Sequence, residues 1–120
     1  MGSEMCIRDR YWIMVELNEE EWNSLYKSFP DSIILDVRTL GEYNSEYIEN
    51  STHIDIQIPG EFMEKVNMID KNKKILVYCH SGVRSYNACK ILEQLGFKTV
   101  YNLIGGISEW RGEVISKDDF

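Results

Sequence analysis

Ile75-Leu76-Val77-Tyr78-Cys79-His80-Ser81-Gly82-Val83-Arg84-Ser85 is the stretch whose reading decides the fold. Ile75 to Tyr78 is the strongest strand signal in the chain, rich in β-branched and aromatic residues. After a short loop, Ala88, Ile91, Leu92 and Leu95 recur at helical spacing, and Gly96 stands where a helix C′ residue belongs.

The same alternation runs outward in both directions. Upstream, Tyr11 to Glu16 is a short aromatic and β-branched run, and Asn18 can cap a helix opened by Glu19, Glu20 and Glu21. Trp22, Leu25, Tyr26 and Phe29 form one face of that helix, and Pro30 stops it. Ile33-Ile34-Leu35 ends at Asp36 and suits a strand buried on both faces. Thr39 with Glu42 reads as a capping box. Ile54 and Ile56 predict a brief strand before Pro59-Gly60, and Phe62, Val66 and Ile69 a further helical stripe. Downstream, Thr99 to Leu103 is a last strand, and Gly105-Gly106 turns into a short helix carrying Trp110. Strands alternating with helices predict an α/β fold in three layers, a mainly parallel central sheet flanked by helices. Such sheets bind ligands at the carboxyl ends of their strands. The strongest strand ends at Cys79.

Composition bounds the function. A chain of 120 residues with 43% hydrophobic and 28% charged residues, two prolines and eight glycines is neither disordered nor collagen-like. No apolar run, Ile75 to Cys79 included, exceeds five residues, too short to span a bilayer. Thirteen basic against twenty acidic residues give a net charge of −7, which argues against nucleic acid or an anionic membrane as main partner. Residues 1–60 carry net −8 and residues 61–120 net +1, so a small anion is better accommodated in the second half. Cys6, Cys79 and Cys89 are too few and scattered for a disulfide framework or a zinc site, and no cofactor is expected. That cysteine usage reads as a reduced, cytoplasmic compartment. Met1 to Arg10 has neither period nor alternation and no apolar signal core, and is expected to be a non-native or disordered head that includes Cys6. Residues 11–120 are expected to form a single domain.

The loop has chemical uses at each position. The thiolate of Cys79 is the reactive form, and a helix N-terminus or positive charge favours it. A loop curling into a helix start aims backbone N–H groups inward, from His80, Ser81, Gly82 and Val83 onward, and makes an anion cradle. Gly82 permits positive φ. Arg84 offers a planar fork of donors to an oxyanion. Ser81 and Ser85 can donate to a sulfur anion or cap the helix.

The loop also has the form C-x-x-G-x-R, and with it the chain resembles the rhodanese family of sulfurtransferases from about Val15 to Gly112. Asp36-Val37-Arg38 with Glu42-Tyr43 is similar to the family's D-V-R-x-x-x-E-[FY] segment, and Leu103 to Trp110 to its L-x-G-G-x-x-x-W tail. Two segments depart from it. Glu46-Tyr47-Ile48 stands where the family usually has G-H-I, and Asn50 to Ile54 where it has G-A-x-[HN]-I. The resemblance implies the rhodanese-like fold and a double-displacement reaction. Cys79 attacks the sulfane sulfur of a small anionic donor such as thiosulfate, carries it as a persulfide, and gives it to cyanide, a thiol or a protein acceptor. Arg84 orients the donor or supports the loop; His80 either tunes the cysteine or faces solvent. Asp36 and Arg38 read as a supporting polar pair, Cys89 and Trp22 as core, and His53 as a hydrogen-bonded structural histidine. Two other functions compete. Cysteine phosphatases use C-x5-R, one residue longer than the loop here, and a regulatory or sulfur-carrier binding module would need no turnover.

Overall fold

In a computed structural model, the described residues are 14–116. The expectations for the head and for Tyr11 to Ile13 lie outside them. Chain order is β1 (Met14–Leu17), α1 (Glu19–Ser28), β2 (Ile33–Asp36), α2 (Leu40–Ser45), β3 (Glu46–Ile48), β4 (Ser51–His53), α3 (Pro59–Val66), β5 (Lys74–Tyr78), α4 (Val83–Gln94), β6 (Thr99–Leu103), a 3-10 helix (Gly106–Glu109) and β7 (Val114–Ser116). Five strands form one sheet in the order β1-β6-β5-β2-β4. Every neighbouring pair in it is parallel.

The lack of alternation in β2 and β5 has its cause in the layers. Leu35, Ile75, Val77 and Cys79 point to one face and pack with Phe62 and Val66 of α3 and Ala88, Cys89 and Leu92 of α4. Ile34, Leu76 and Tyr78 point to the other and pack with Trp22 of α1, Leu103 and Ile107. Successive strand residues serve opposite cores, so both must be apolar. Trp22 meets Tyr78 and Trp110 edge-on, with ring centroids 6.2 and 5.5 Å apart. Helix starts follow local chemistry. Asn18 with Glu21 and Thr39 with Glu42 both close reciprocal capping boxes.

Two local expectations change. The brief strand expected at Ile54 and Ile56 is instead Ser51–His53, and the two isoleucines follow it. Ile54 and Ile56 donate backbone N–H bonds to Asp36 and Val37 and pack into the α3–α4 core from irregular chain. β4 is an edge strand, needing bonding partners on one side only, so Ser51, Thr52 and His53 serve it despite their polarity. The last short helix ends at Glu109, one residue before Trp110, which is extended.

Candidate active site at the Cys79 loop

β5 delivers Cys79 at the carboxyl edge of the sheet, and α4 begins four residues later at Val83. Gly82 is the residue that caps α4, with φ of 103°, and it has no side chain to satisfy the orphan amides of the first turn. The cysteine sulfur fills that role. Cys79 Sγ accepts the Gly82 N–H at 3.1 Å and the Ser85 hydroxyl at 3.3 Å. Burial pushes the Cys79 thiol up, but the Ser85 hydroxyl and the amides of Ser85, Gly82 and Ser81 outweigh it, leaving the thiol below its ordinary value. A thiolate is the form this cradle favours.

The other cysteine meets the opposite environment. Cys89 is fully buried on α4, and desolvation followed by the carboxylates of Glu16 and Glu93 drives its thiol up. It packs and stays protonated.

The start of the loop is held from the 3-10 helix that follows β6. Ile107 and Ser108 donate their backbone N–H groups to the carbonyls of Cys79 (2.9 Å) and His80 (3.0 Å). A Cβ at Gly106, whose φ is +58°, would stand 2.4 Å from both of those carbonyl oxygens. Only glycine fits there. Buried Asn102 donates from Nδ2 to the Gly82 carbonyl at 3.2 Å and to Glu16 at 3.1 Å, tying the loop's turn to β6 and β1.

Arg84 is engaged within the protein. Its two terminal nitrogens bond the two carboxylate oxygens of Glu42 at 2.8 and 2.9 Å, while Glu42 also accepts the N–H and hydroxyl of Thr39. Glu42 is the largest influence raising the guanidinium above its ordinary value; burial opposes it, and the charges of Glu42, Cys79 and Asp55 add to it. Arg84 is thus a strut between α4 and α2 whose charge still reaches the nucleophile. In return, Arg84 holds the Glu42 carboxyl down to about 2, against burial and with help from Thr39. A carboxyl depressed in the folded state from about 4.5 to about 2 stabilises the fold above pH 4.5, and that contribution fades as pH falls toward 2. With Glu42 32% exposed, screening reduces the effect to about 1–2 kcal/mol. Glu42→Gln should therefore be less stable than the parent by that amount at pH 6 and nearly equal to it at pH 2–2.5 in urea titrations. A deficit that ignores pH would contradict the ion pair.

Asp36 and Arg38 support the site from behind. Arg38 Nη2 bonds Asp36 at 2.8 Å and the Glu46 carbonyl at 2.6 Å, and Tyr78, next to Cys79, donates its hydroxyl to Asp36 at 2.5 Å. His53 Nε2 meets the Arg38 carbonyl at 2.6 Å, the structural use expected for it. His80, Ser81 and Val83 are exposed, Gly82 is half-buried, and Ser85 is buried. Among the described residues no group of three His, Cys, Asp or Glu could hold a metal ion.

Residues 19–113 match the model of the rhodanese-like domain. The chain belongs to the rhodanese-like family. It is 37% identical over 99 residues to the thiosulfate sulfurtransferase GlpE of Coxiella burnetii, covering 82% of this chain and 88% of that one. It is 40% identical over 85 residues to the putative sulfurtransferase YtwF of Bacillus subtilis, covering 71% and 79%. Among solved structures, a rhodanese-like domain protein from Staphylococcus aureus superposes with a TM-score of 0.74 at 28% identity, over 87% of this chain and 99% of that one.

The family's departing segments also find a structural account. Asn50, which stands where the pattern has glycine, adopts φ of 70°, a conformation asparagine tolerates better than most residues. Glu46-Tyr47-Ile48 becomes β3 and pairs antiparallel with β7. Sequence reasoning missed three rhodanese-loop supports: Glu42 as the partner of Arg84, Asn102 beneath Gly82, and the amides of Ile107 and Ser108. Glu42 gave a signal as a helix cap and as part of the D-V-R-x-x-x-E-[FY] segment, neither of which points to Arg84. The second glycine of Gly105-Gly106 was the available hint of a close backbone approach.

Proposed function

We propose that this rhodanese-like domain is a sulfurtransferase that moves a sulfane sulfur from thiosulfate or a related donor to a thiophilic acceptor through a persulfide on Cys79. The observation that carries the reading is the cradle at Cys79 Sγ, where the Gly82 amide and the Ser85 hydroxyl converge on one sulfur. The names borne by its relatives in Coxiella burnetii and Bacillus subtilis agree with it.

The Cys79 thiolate attacks the outer sulfur of thiosulfate. The donor's S–S bond breaks, sulfite leaves with the electron pair, and Cys79 carries the extra sulfur. Cyanide or a thiol then attacks that outer sulfur, and the pair of the persulfide bond returns to Cys79. The same amides and the α4 N-terminus stabilise both sulfur anions. The exposed His80, Ser81 and Val83 form the outer wall that a donor meets. Arg84 keeps the loop's shape through Glu42 and lends positive charge, and Asp36 with Arg38 fixes the end of β2 behind it.

A phosphoryl group asks for a wider ring of donors than the four residues between Cys79 and Arg84 provide. Assay of the full chain with thiosulfate and cyanide should yield thiocyanate with ping-pong kinetics, and turnover of an aryl phosphate should be far slower. Faster release of phosphate than of thiocyanate would assign the loop to phosphatase chemistry. Neither activity, with partner binding unchanged in Cys79→Ser, would assign the fold to a binding module.

A further inference from the structure

β6 carries one residue that its surroundings do not call for. Val100 and Asn102 are two positions apart, so they share a face of the sheet, and Val100 packs into the α3–α4 core. Asn102 is fully buried, at a position where an apolar side chain is the default. Glu16 lies directly opposite it on the edge strand β1. Asn102 Nδ2 donates to the Glu16 carboxylate at 3.1 Å and to the Gly82 carbonyl at 3.2 Å. Both partners only accept, so the amide nitrogen must face them. That turns Oδ1 away, and it is buried with no hydrogen-bond partner among the described residues. A buried acceptor left unsatisfied costs free energy, so stability alone does not account for Asn102.

What the amide holds is the turn that surrounds the nucleophile. Gly82 is the left-handed residue between the loop and α4. Its carbonyl accepts Asn102 Nδ2 and the Tyr86 N–H, both at 3.2 Å, while its own N–H lies on Cys79 Sγ at 3.1 Å. Glycine has no Cβ to confine its backbone, so bonds to its polar groups fix the turn. A Cβ there would lie 3.4 Å from the Leu103 carbonyl oxygen and the Gly105 nitrogen, so the turn rests on the end of β6 as well as on Asn102. The amides of Ser81 and Ser85, before and after the turn, favour the thiolate together with that of Gly82.

We propose that Asn102 is a positioning residue for sulfur transfer: anchored by Glu16 through one amide hydrogen, it holds the Gly82 carbonyl with the other and keeps the loop amides aimed at Cys79 Sγ. The proposal rests on the sulfurtransferase reading and adds the residues that set its nucleophile. Asn102 acts through the Gly82 turn and serves whichever sulfur anion is present, thiolate or persulfide.

The test compares the full chain with Asn102→Ala, Glu16→Ala and Glu16→Gln. Two rates are read on the Cys79 peptide by mass spectrometry: alkylation by iodoacetamide and persulfide formation with thiosulfate. At about pH 6.5 Asn102→Ala should be about tenfold slower in both, and at about pH 10, where the thiol ionises without help, the alkylation gap should close to within about twofold. A merely structural defect at the cysteine would alter alkylation at every pH. Circular dichroism should show Asn102→Ala folded, since the Gly82 carbonyl keeps the Tyr86 N–H and the orphan oxygen is gone. Glu16 is exposed, and Glu16→Ala should slow both rates about threefold at the lower pH. Glu16→Gln keeps an acceptor for Nδ2 and should restore them. The sign is diagnostic, because deleting a negative charge would by itself favour a thiolate. Arg84, Glu42 and the protonated Cys89 stay in place throughout. Parental alkylation of Asn102→Ala at the lower pH, a deficit undiminished at the higher, or a faster Glu16→Ala would overturn the proposal. Should Asn102→Ala fail to fold, the two Glu16 variants decide it alone. A parent that alkylates at Cys79 yet gains no sulfur would strike the sulfurtransferase reading, while the alkylation rates still decide whether Asn102 sets the thiolate.

Discussion

Asp36→Ala should lose about 3–5 kcal/mol of stability, a large share of the roughly 5–15 kcal/mol expected for a domain of this size. Asp36 is fully buried and binds Arg38 through the backbone N–H, Nε and Nη2, while also accepting the Tyr78 hydroxyl. Removing the carboxylate strands a guanidinium that is 3% exposed and leaves the Tyr78 hydroxyl, as donor, only the longer contact to Ser51, 3.4 Å, among the described residues. Among the described residues, the Glu46 carbonyl is the one other hydrogen-bond partner left to the Arg38 side chain. Thermal unfolding should fall by about 10–20 °C. Double replacement, Asp36→Ala with Arg38→Met, should recover much of the loss, because no charge is then left buried without a counterpart. If the single variant unfolds within 1 kcal/mol of the parent, the pair is not what fixes the end of β2 behind the loop.

Cys79→Ser should slow thiosulfate:cyanide turnover by on the order of a thousandfold or more, as removal of a covalent nucleophile does. A serine hydroxyl is not ionised by neutral hydroxyl and amide donors at neutral pH, and oxygen does not carry sulfane sulfur reversibly. The fold should not suffer. Serine is close in size, and its oxygen can take over the Gly82 amide that Cys79 Sγ accepts. Unfolding within about 1 kcal/mol of the parent would separate the chemical loss from a structural one. Cys89 remains in that variant and should not rescue it, since burial and nearby carboxylates keep its thiol protonated.

Much of this was legible in the chain, for identifiable reasons. The apolar runs at Ile33–Leu35 and Ile75–Tyr78 read as two-sided strands because two cores claim alternate residues. The caps at Asn18 and Thr39 are short-range, so residue type and spacing suffice to read them. Residues that meet across the fold were harder. Glu42 and Arg84 are 42 positions apart, and nothing local says that a helix-capping carboxylate also receives the loop arginine. Arg84 read as a fork that either orients the donor or supports the loop, and the carboxylate that its two terminal nitrogens bond lies on a distant helix. β4 was misplaced because Ile54 and Ile56 carry the apolar signal, while the ladder itself runs through polar residues that an edge strand tolerates. Gly106 needed the structure to show that its missing Cβ makes room for the carbonyls of Cys79 and His80.

The central claim is that Cys79 carries the transferred sulfur. Intact-mass and peptide mass spectrometry of the full chain after brief treatment with thiosulfate, without an acceptor, tests it directly. The account predicts a gain of one sulfur atom on the peptide containing Cys79, absent in Cys79→Ser and removed on adding cyanide. An unmodified Cys79 in protein that still forms thiocyanate, or the added sulfur found on Cys89, would contradict it.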